Sequence, residues 1–470
     1  MERKKYDFGL VGLGVMGRNF ILNVADNGFS AYGHDLDEEK VASLLEEGGD
    51  TDKINASTSA PIFIEALSRP RKLMLLVPAG KAVDAVIESL LPYLDKNDII
   101  IDGGNSFYQD TDHRESYLKS KGIHFFGAGV SGGAKGARRG PSIMPGGSKE
   151  AYQEVKPIFE AVAADFKGEA CVAYLGPKSA GNYVKMVHNG IEYGLMQLIS
   201  EIYDLLKKVG NYSNPELHDL FDTWNKGRLQ SFLVEITADI LKHKDDKTDG
   251  YLVDMILDKA KQKGTGKWTS QNAMDLGIPI PTIDIAVTMR ELSAFKQERV
   301  KAKTLYPKKK IDQIDKGELG KWAEEALYFG YILTYAQGFH QLTEASKEYG
   351  YDLNMQTVAK IWRAGCIIRA GLLEDIAKAF NETNAPTHLL LNDAFAAKIN
   401  DTVPTVRNLV SLAIKNAVPL AGLGNALTYF DGYTADRLPL NLIQAQRDYF
   451  GSHTYERTDS EGIFHTDWEV

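Results

Sequence analysis

Six residues near the N-terminus, Gly12-Leu13-Gly14-Val15-Met16-Gly17, constrain the fold more than any other stretch of this chain. They follow an apolar run, Asp7 to Leu13, that reads as a strand. They open an amphipathic segment, Met16 to Asn27, that reads as a helix. A G-x-G-x-x-G turn in this position lets the backbone turn sharply, approach a pyrophosphate closely and present a helix N-terminus to it. The alternative is a purely structural strand-to-helix turn, and the following residues weigh against it. Phe29 to Gly33 reads as a second strand, with further strands expected at Lys72 to Val77, Asp98 to Asp102 and Ile123 to Ala128. Helical patterns lie between them. This alternation predicts a Rossmann-type α/β dinucleotide-binding domain with a parallel sheet over residues 1–178.

Past Gly176-Pro177 the pattern changes. From Ser179 to about Phe380 the apolar residues recur at helical spacing, most clearly over Ala180 to Val209, Gln230 to His243 and Trp322 to Tyr349. A large all-helical domain is expected over 179–440. The tail, 441–470, loses periodicity after Phe450 and is either disordered or docked on another surface. With 54 Lys+Arg against 63 Asp+Glu the net charge is −9, and no basic stripe points to nucleic acid. Apolar runs such as Leu73 to Val77 are too short to span a bilayer. Met1 to Lys5 leads into glycines rather than an apolar signal core, so a cytoplasmic address is expected. Two cysteines, Cys171 and Cys366, rule out a disulfide framework and read as small buried side chains.

The second strand runs into Gly33-His34-Asp35-Leu36-Asp37, about 20 residues past the glycine turn, where an acid can bond the adenosine ribose hydroxyls. An acid here also repels a 2′-phosphate, which favours NAD over NADP, although His34 and Lys40 could receive a phosphate. Alternatively, Asp35 or Asp37 caps the helix starting near Glu38.

Lys185, His188, Asn189 and Glu192 fall at i, i+3, i+4 and i+7 and share one helix face. A surface Lys/Glu stripe with a core-edge histidine is the bland explanation. Beside a dinucleotide turn, the set instead fits hydride removal from an alcohol. A lysine held neutral can take the hydroxyl proton while a carboxylic acid returns a proton elsewhere on the carbon skeleton. Ser131-Gly132-Gly133 offers backbone N–H groups and a hydroxyl to a carboxylate, and Gly103-Gly104-Asn105 lies at the carboxyl edge where ligands bind in such sheets. Lys263 to Trp268 resembles a phosphate-cradling loop without P-loop spacing, and Arg290 sits in a mostly apolar stretch as either a ligand contact or an internal ion pair. No metal-ligand spacing stands out.

These motifs closely resemble decarboxylating 6-phosphogluconate dehydrogenases, of the β-hydroxyacid dehydrogenase superfamily. The resemblance is carried by Gly12 to Gly17, Gly103 to Ser106, Ser131 to Gly133, Gly136 to Arg138, Gly140 to Gly147, Lys185 to Tyr193, Lys263 to Thr269, Leu438 to Gly451 and His453 to Tyr455, in the family's order along nearly the whole chain. It implies oxidation of 6-phosphogluconate at C3, loss of CO2 and tautomerisation to ribulose 5-phosphate in the pentose phosphate pathway, with a nicotinamide cofactor and no metal. It further implies a helical domain built from a duplicated unit. Lys185 would be the base and then the acid, and Glu192 the final proton donor. Asn105, Ser131, Gly132, Gly133, His188 and Asn189 would hold the carboxylate and hydroxyls, and Tyr193, Lys263, Thr265 and Arg290 the phosphate. Arg447 and His453 would come from the tail of the partner in a homodimer. Gly12, Leu13, Gly14, Val15, Met16, Gly17, Asp35, Leu36, Asp37, Val77, Pro78, Ala79 and Asn105 would line the cofactor.

Three departures from the family pattern stand out. NADP-using members carry Asn-Arg-Ser or Asn-Arg-Thr where this chain has Asp35-Leu36-Asp37, and lysine where it has Pro78. Both changes remove groups suited to a 2′-phosphate. Ala134-Lys135 replaces an acidic pair. The rival functions are a β-hydroxyacid dehydrogenase acting on a substrate without phosphate, opposed by Arg290 and the Lys263 loop, and a non-catalytic cofactor sensor, which has no need of an acid–base pair.

Overall fold

The computed structural model describes residues 4–49, 52–307, 314–381, 383 and 385–468. β1 (Phe8–Val11) is buried at all four positions, as a central parallel strand must be. It pairs in parallel with β2 (Ala31–His34) on one side and β4 (Lys72–Leu75) on the other. β3 (Ile54–Ser57), β5 (Ile99–Asp102), β6 (His124–Ser131) and β7 (Ser142–Gly147) complete a seven-stranded sheet in the order β3-β2-β1-β4-β5-β6-β7. The order reverses between β1 and β4, and the glycine turn opens into the crevice made there, where nucleotides bind in sheets of this kind.

Two strands of this sheet went unforeseen. β3 is a polar edge strand, with Asn55 exposed and Ser57 half-buried, too short for its alternation to register. β7 contains Pro145 and two glycines, which argue against a strand in general. It forms the sheet's other edge, where a proline is tolerated, and it runs antiparallel to β6, so the sheet is mixed rather than wholly parallel. Pairing of Ser131 with Ser142 extends β6 three residues past its expected end at Ala128.

The helical part is organised around two long helices, Ala180–Lys208 and Lys316–Tyr349, whose facing side chains form the largest core. Among the described residues no strand occurs between Ala170 and Tyr455, and no helix is long and apolar enough to cross a membrane. Cys171 and Cys366 are both buried and free, as expected. The tail is ordered locally, as a helix Leu440–Gly451 followed by a small hairpin, Tyr455–Glu456 with Ile463–Phe464. Asp448 holds this unit together, accepting hydrogen bonds from Thr454 N (2.9 Å), Thr466 N (3.1 Å) and Trp468 Nε1 (2.9 Å). It is the helix's one buried residue, while Leu442, Ile443 and Phe450 stand exposed.

Candidate active site

The crevice beside β1 fits a dinucleotide. Gly12 has φ +96°, and a Cβ there would lie 2.6 Å from the Leu76 carbonyl oxygen, so only glycine passes the chain this close to the end of β4. Nothing lies within 4 Å of a Cβ built on Gly14, and no side chain caps the Val15–Asp26 helix, so its first N–H groups remain available to a pyrophosphate. Across the crevice, Val77 is half-buried and Pro78 and Ala79 are exposed. The two acids divide their work. Asp37 caps the Glu38–Gly48 helix, accepting from Glu39 N at 3.0 Å, whereas Asp35 Oδ2 accepts from Leu13 N in the glycine turn at 2.8 Å. Lys40 is held between them, 3.6 Å from Asp35 and 3.4 Å from Asp37. His34 turns into the sheet, its Nδ1 2.8 Å from the Ser57 carbonyl and its ring stacked on Phe63. Leu36 projects into solvent.

The Ala180–Lys208 helix crosses β6 so closely that a Cβ on Gly129 would collide with the Lys185 side chain. This contact delivers the lysine to the carboxyl end of the sheet. The helix is buried on all sides at this point: Lys185 is 5% exposed, His188 0% and Asn189 8%, so the polar stripe faces an interior and not solvent. Burial pulls the Lys185 ammonium down to about 8, against the opposing field of Glu192. Burial, and secondly the Lys185 charge, keeps His188 neutral well below the usual imidazole range. Glu192 is raised by burial, with Lys185 and Arg290 acting in the other direction. A base whose ammonium gives up its proton near pH 8 and an acid that retains its proton longer than usual therefore lie two turns of helix apart on one face. We expect Gly129→Ala to displace Lys185. Stability should fall by about 1–3 kcal/mol from overpacking, read as a lower Tm, and kcat should fall by more than the stability change explains.

The polar groups are linked. Lys185 Nζ lies 3.5 Å from His188 Nδ1, which is 3.1 Å from Asn189 Oδ1, and Asn189 Nδ2 donates to Thr265 Oγ1 at 3.2 Å. Ser131 Oγ lies 3.2 Å from His188 Nε2. Thr265 begins the Thr265–Asp275 helix, whose N-cap, Gly264, has φ +101° and offers no side-chain cap, so backbone donors open beside it. The Arg290 guanidinium stacks on the Tyr193 ring at 3.4 Å. Asn189, Tyr193, Thr265 and Arg290 thus form one cluster. Lys263 lies exposed two residues before Thr265. Asn105 is exposed on its turn after β5, which reaches this side through ring contact of Phe107 with Trp268 at 5.1 Å. Gly132 and Gly133 open the short Gly133–Arg139 helix next to Ser131. Arg447 and His453 stand exposed on the tail, where their recorded neighbours, Gln444 and Phe450, belong to the tail itself.

Two features escaped the sequence reading. Asp102, fully buried at the end of β5, accepts from Gly104 N (3.0 Å) and Ser106 Oγ (2.6 Å) and so shapes the turn carrying Asn105. An acid closing the run Ile99-Ile100-Ile101 was the available signal. The segment 361–367 of the helical part docks on β6 and β7: Ser142 N donates to Gly365 O (2.8 Å), Ile367 N donates to Ser131 Oγ (3.4 Å), and Trp362 meets the His188 ring edge-on at 5.6 Å. No local pattern could pair it with residues more than 170 positions earlier.

Comparison with known proteins agrees with this geometry. Residues 7–176 match the family model "NAD binding domain of 6-phosphogluconate dehydrogenase", and residues 181–468 match "6-phosphogluconate dehydrogenase, C-terminal domain". The chain is 51% identical over 466 residues to the NADP(+)-dependent, decarboxylating 6-phosphogluconate dehydrogenase of Bacillus subtilis, covering 99% of each chain. It is 50% identical over 467 residues to the decarboxylating 6-phosphogluconate dehydrogenase of Escherichia coli, again covering 99% of each. A solved structure of Plasmodium falciparum 6-phosphogluconate dehydrogenase, studied apo, with NADP+ and with 6-phosphogluconate, superposes with a TM-score of 0.95 at 45% identity, covering 98% of this chain and 100% of that one.

Proposed function

This chain belongs to the 6-phosphogluconate dehydrogenase family, and from that premise we propose that it converts 6-phosphogluconate to ribulose 5-phosphate and CO2 through Lys185 and Glu192. The observation that carries the residue assignment is a buried lysine, its ammonium pulled down to about 8, at the mouth of a nucleotide crevice and two helical turns from a half-buried acid. Lys185 takes the C3 hydroxyl proton as the C3 hydride leaves. The bound nicotinamide supplies the hydride acceptor. The lysine ammonium then donates to the C3 carbonyl oxygen as the bond to the carboxylate breaks, which stabilises the electron pair left by CO2. Glu192 protonates the carbon that lost CO2 while Lys185 removes the enediol proton; this leaves the lysine as the ammonium and Glu192 ionised, and one proton passes from the ammonium to the carboxylate before the next turnover. Ser131, Gly132, Gly133, Asn105, His188 and Asn189 orient the carboxylate and hydroxyls. Tyr193, Lys263, Thr265 and Arg290 receive the phosphate.

The cofactor assignment is NAD over NADP. It departs from the Bacillus subtilis relative, named as NADP(+)-dependent, and rests on this chain's own residues. Asp35 and Asp37 present two carboxylates where a 2′-phosphate would lie, His34 is turned inward, and Lys40 is already engaged by both acids. A like-charge clash of this kind costs several kcal/mol when unscreened. The test is the initial rate of nicotinamide reduction with 6-phosphogluconate and each cofactor. We expect kcat/KM at least about tenfold higher with NAD, a difference of 1.4 kcal/mol or more. A preference for NADP would overturn the cofactor reading and leave the reaction standing. No reduction with either cofactor would overturn the reaction.

The protein acts as a homodimer in this reading, with the tail of one subunit completing the phosphate site of the other. The Leu440–Gly451 helix supports it, since its apolar residues lack cover in the single chain and a helix of that composition needs a surface to pack on.

A further inference from the structure

We propose that the peptide N–H of Ile367, acting through Ser131, fixes His188 as its Nδ1–H tautomer and makes the 361–367 segment a positioning element for the Lys185 base. The inference rests on the assignment of Lys185 above and adds the device that holds it. A backbone amide can only donate, so the Ser131 oxygen accepts from Ile367 N at 3.4 Å. With one lone pair so engaged, the hydroxyl is turned to donate its hydrogen to His188 Nε2 at 3.2 Å, the match for a bare Nε2, while Asn189 Oδ1, which can only accept, calls for the proton on Nδ1. The ring is neutral, because burial and the adjacent Lys185 disfavour the imidazolium. Its one proton therefore sits on Nδ1 and is accepted by Asn189 Oδ1 at 3.1 Å. Asn189 is oriented consistently, with its Nδ2 donating to Thr265 Oγ1 at 3.2 Å. Every donor meets an acceptor along one direction, from a peptide group of the helical part to Thr265 beside the expected phosphate site.

The consequence falls on Lys185, whose Nζ lies 3.5 Å from the same Nδ1. A proton there gives the lysine ammonium no acceptor from the ring, whereas the free amine can share the Nδ1–H with Asn189. The opposite tautomer would present a bare Nδ1, accept a hydrogen bond from the ammonium, and favour the form that cannot act as a base. The segment is held for this task. Gly365 (φ +68°) accepts from Ser142 N at 2.8 Å, and Trp362 braces the imidazole edge. The ionisable groups facing the pair are Glu192 on the same helix, Cys366 on the segment and Arg290 beyond Glu192. The Cys366 thiol is pushed up to about 12 by burial and stays neutral throughout.

The tautomer is read directly by 15N NMR of the full chain labelled at histidine nitrogens, without substrate. We expect His188 to show a protonated Nδ1 and a bare Nε2 at neutral pH. A protonated Nε2, or an imidazolium, overturns the proposal whatever the turnover rate, so its failure is separable from failure of the proposed reaction. Ser131→Ala should release the tautomer toward Nε2–H and move the acidic limb of the kcat/KM profile up by about one pH unit, a tenfold loss on that limb. Replacing residue 367 by the α-hydroxy analogue of isoleucine, which puts an ester oxygen in place of the N–H alone, should do the same without touching the substrate pocket. An unchanged tautomer in both variants would show that Ile367 does not set it.

Discussion

Lys185→Met should lower kcat with 6-phosphogluconate by about 10³–10⁴-fold, toward the upper end of what positioned acid–base catalysis contributes, while leaving cofactor binding intact. Methionine keeps the length and apolar stem of lysine, so packing against Gly129 survives and only the titrating group is lost. The loss should be this large because the proposed mechanism has Lys185 move a proton in each stage: from the alcohol, to the keto oxygen and from the enediol. The native enzyme should also show the sign of a base that must be neutral. Its kcat/KM should rise with pH through about 8, the value to which burial pulls Lys185. Steady-state rates across pH, with cofactor titration of the variant by fluorescence, check both statements. A variant within tenfold of the native rate would remove Lys185 from the mechanism.

How far this site could be read in advance depended on whether its residues lie together in sequence. The glycine turn and the Lys185–Glu192 stripe are local patterns, set by one turn and by helical spacing, and the structure places them where spacing required. Asp35 and Asp37 were legible as a pair, yet which one caps and which one ties to the glycine turn depends on the path of the chain after β2, and side-chain type alone left both open. β7 was hidden because its Pro145 and glycines are tolerated only at a sheet edge, and edge position is a property of the whole sheet. The docking of 361–367 on β6 and β7 was hidden more deeply. It consists of backbone hydrogen bonds between distant segments, such as Ser142 N to Gly365 O, which leave almost no mark on residue choice beyond the glycine itself. The clustering of Asn189, Thr265, Tyr193 and Arg290 came through the resemblance and not through spacing, because three separate helices supply it.

Two inactive variants should restore activity when they share a dimer. Arg447→Ala/His453→Ala removes both tail side chains expected at the phosphate and should cost about 10²-fold or more in kcat/KM, at 1.5–3 kcal/mol for each hydrogen bond to a charged group. Asp448, which organises the tail, is left in place, so the loss should report charge and not unfolding. Co-expressed with Lys185→Met under a second tag, the mixed dimer contains one site that lacks both Lys185 and the two tail side chains. Its other site has an intact Lys185 and receives an intact tail from the partner. Roughly half the native rate per dimer should return, as expected for one good site of two related by a twofold axis. If each tail served its own subunit, both sites of the mixed dimer would be defective and no activity would return. The two arrangements therefore differ by far more than assay error. The exposure of Leu442, Ile443 and Phe450 argues for exchange, since in the single chain they lie against water, and the contacts of Arg447 with Gln444 and of His453 with Phe450 stay within the tail.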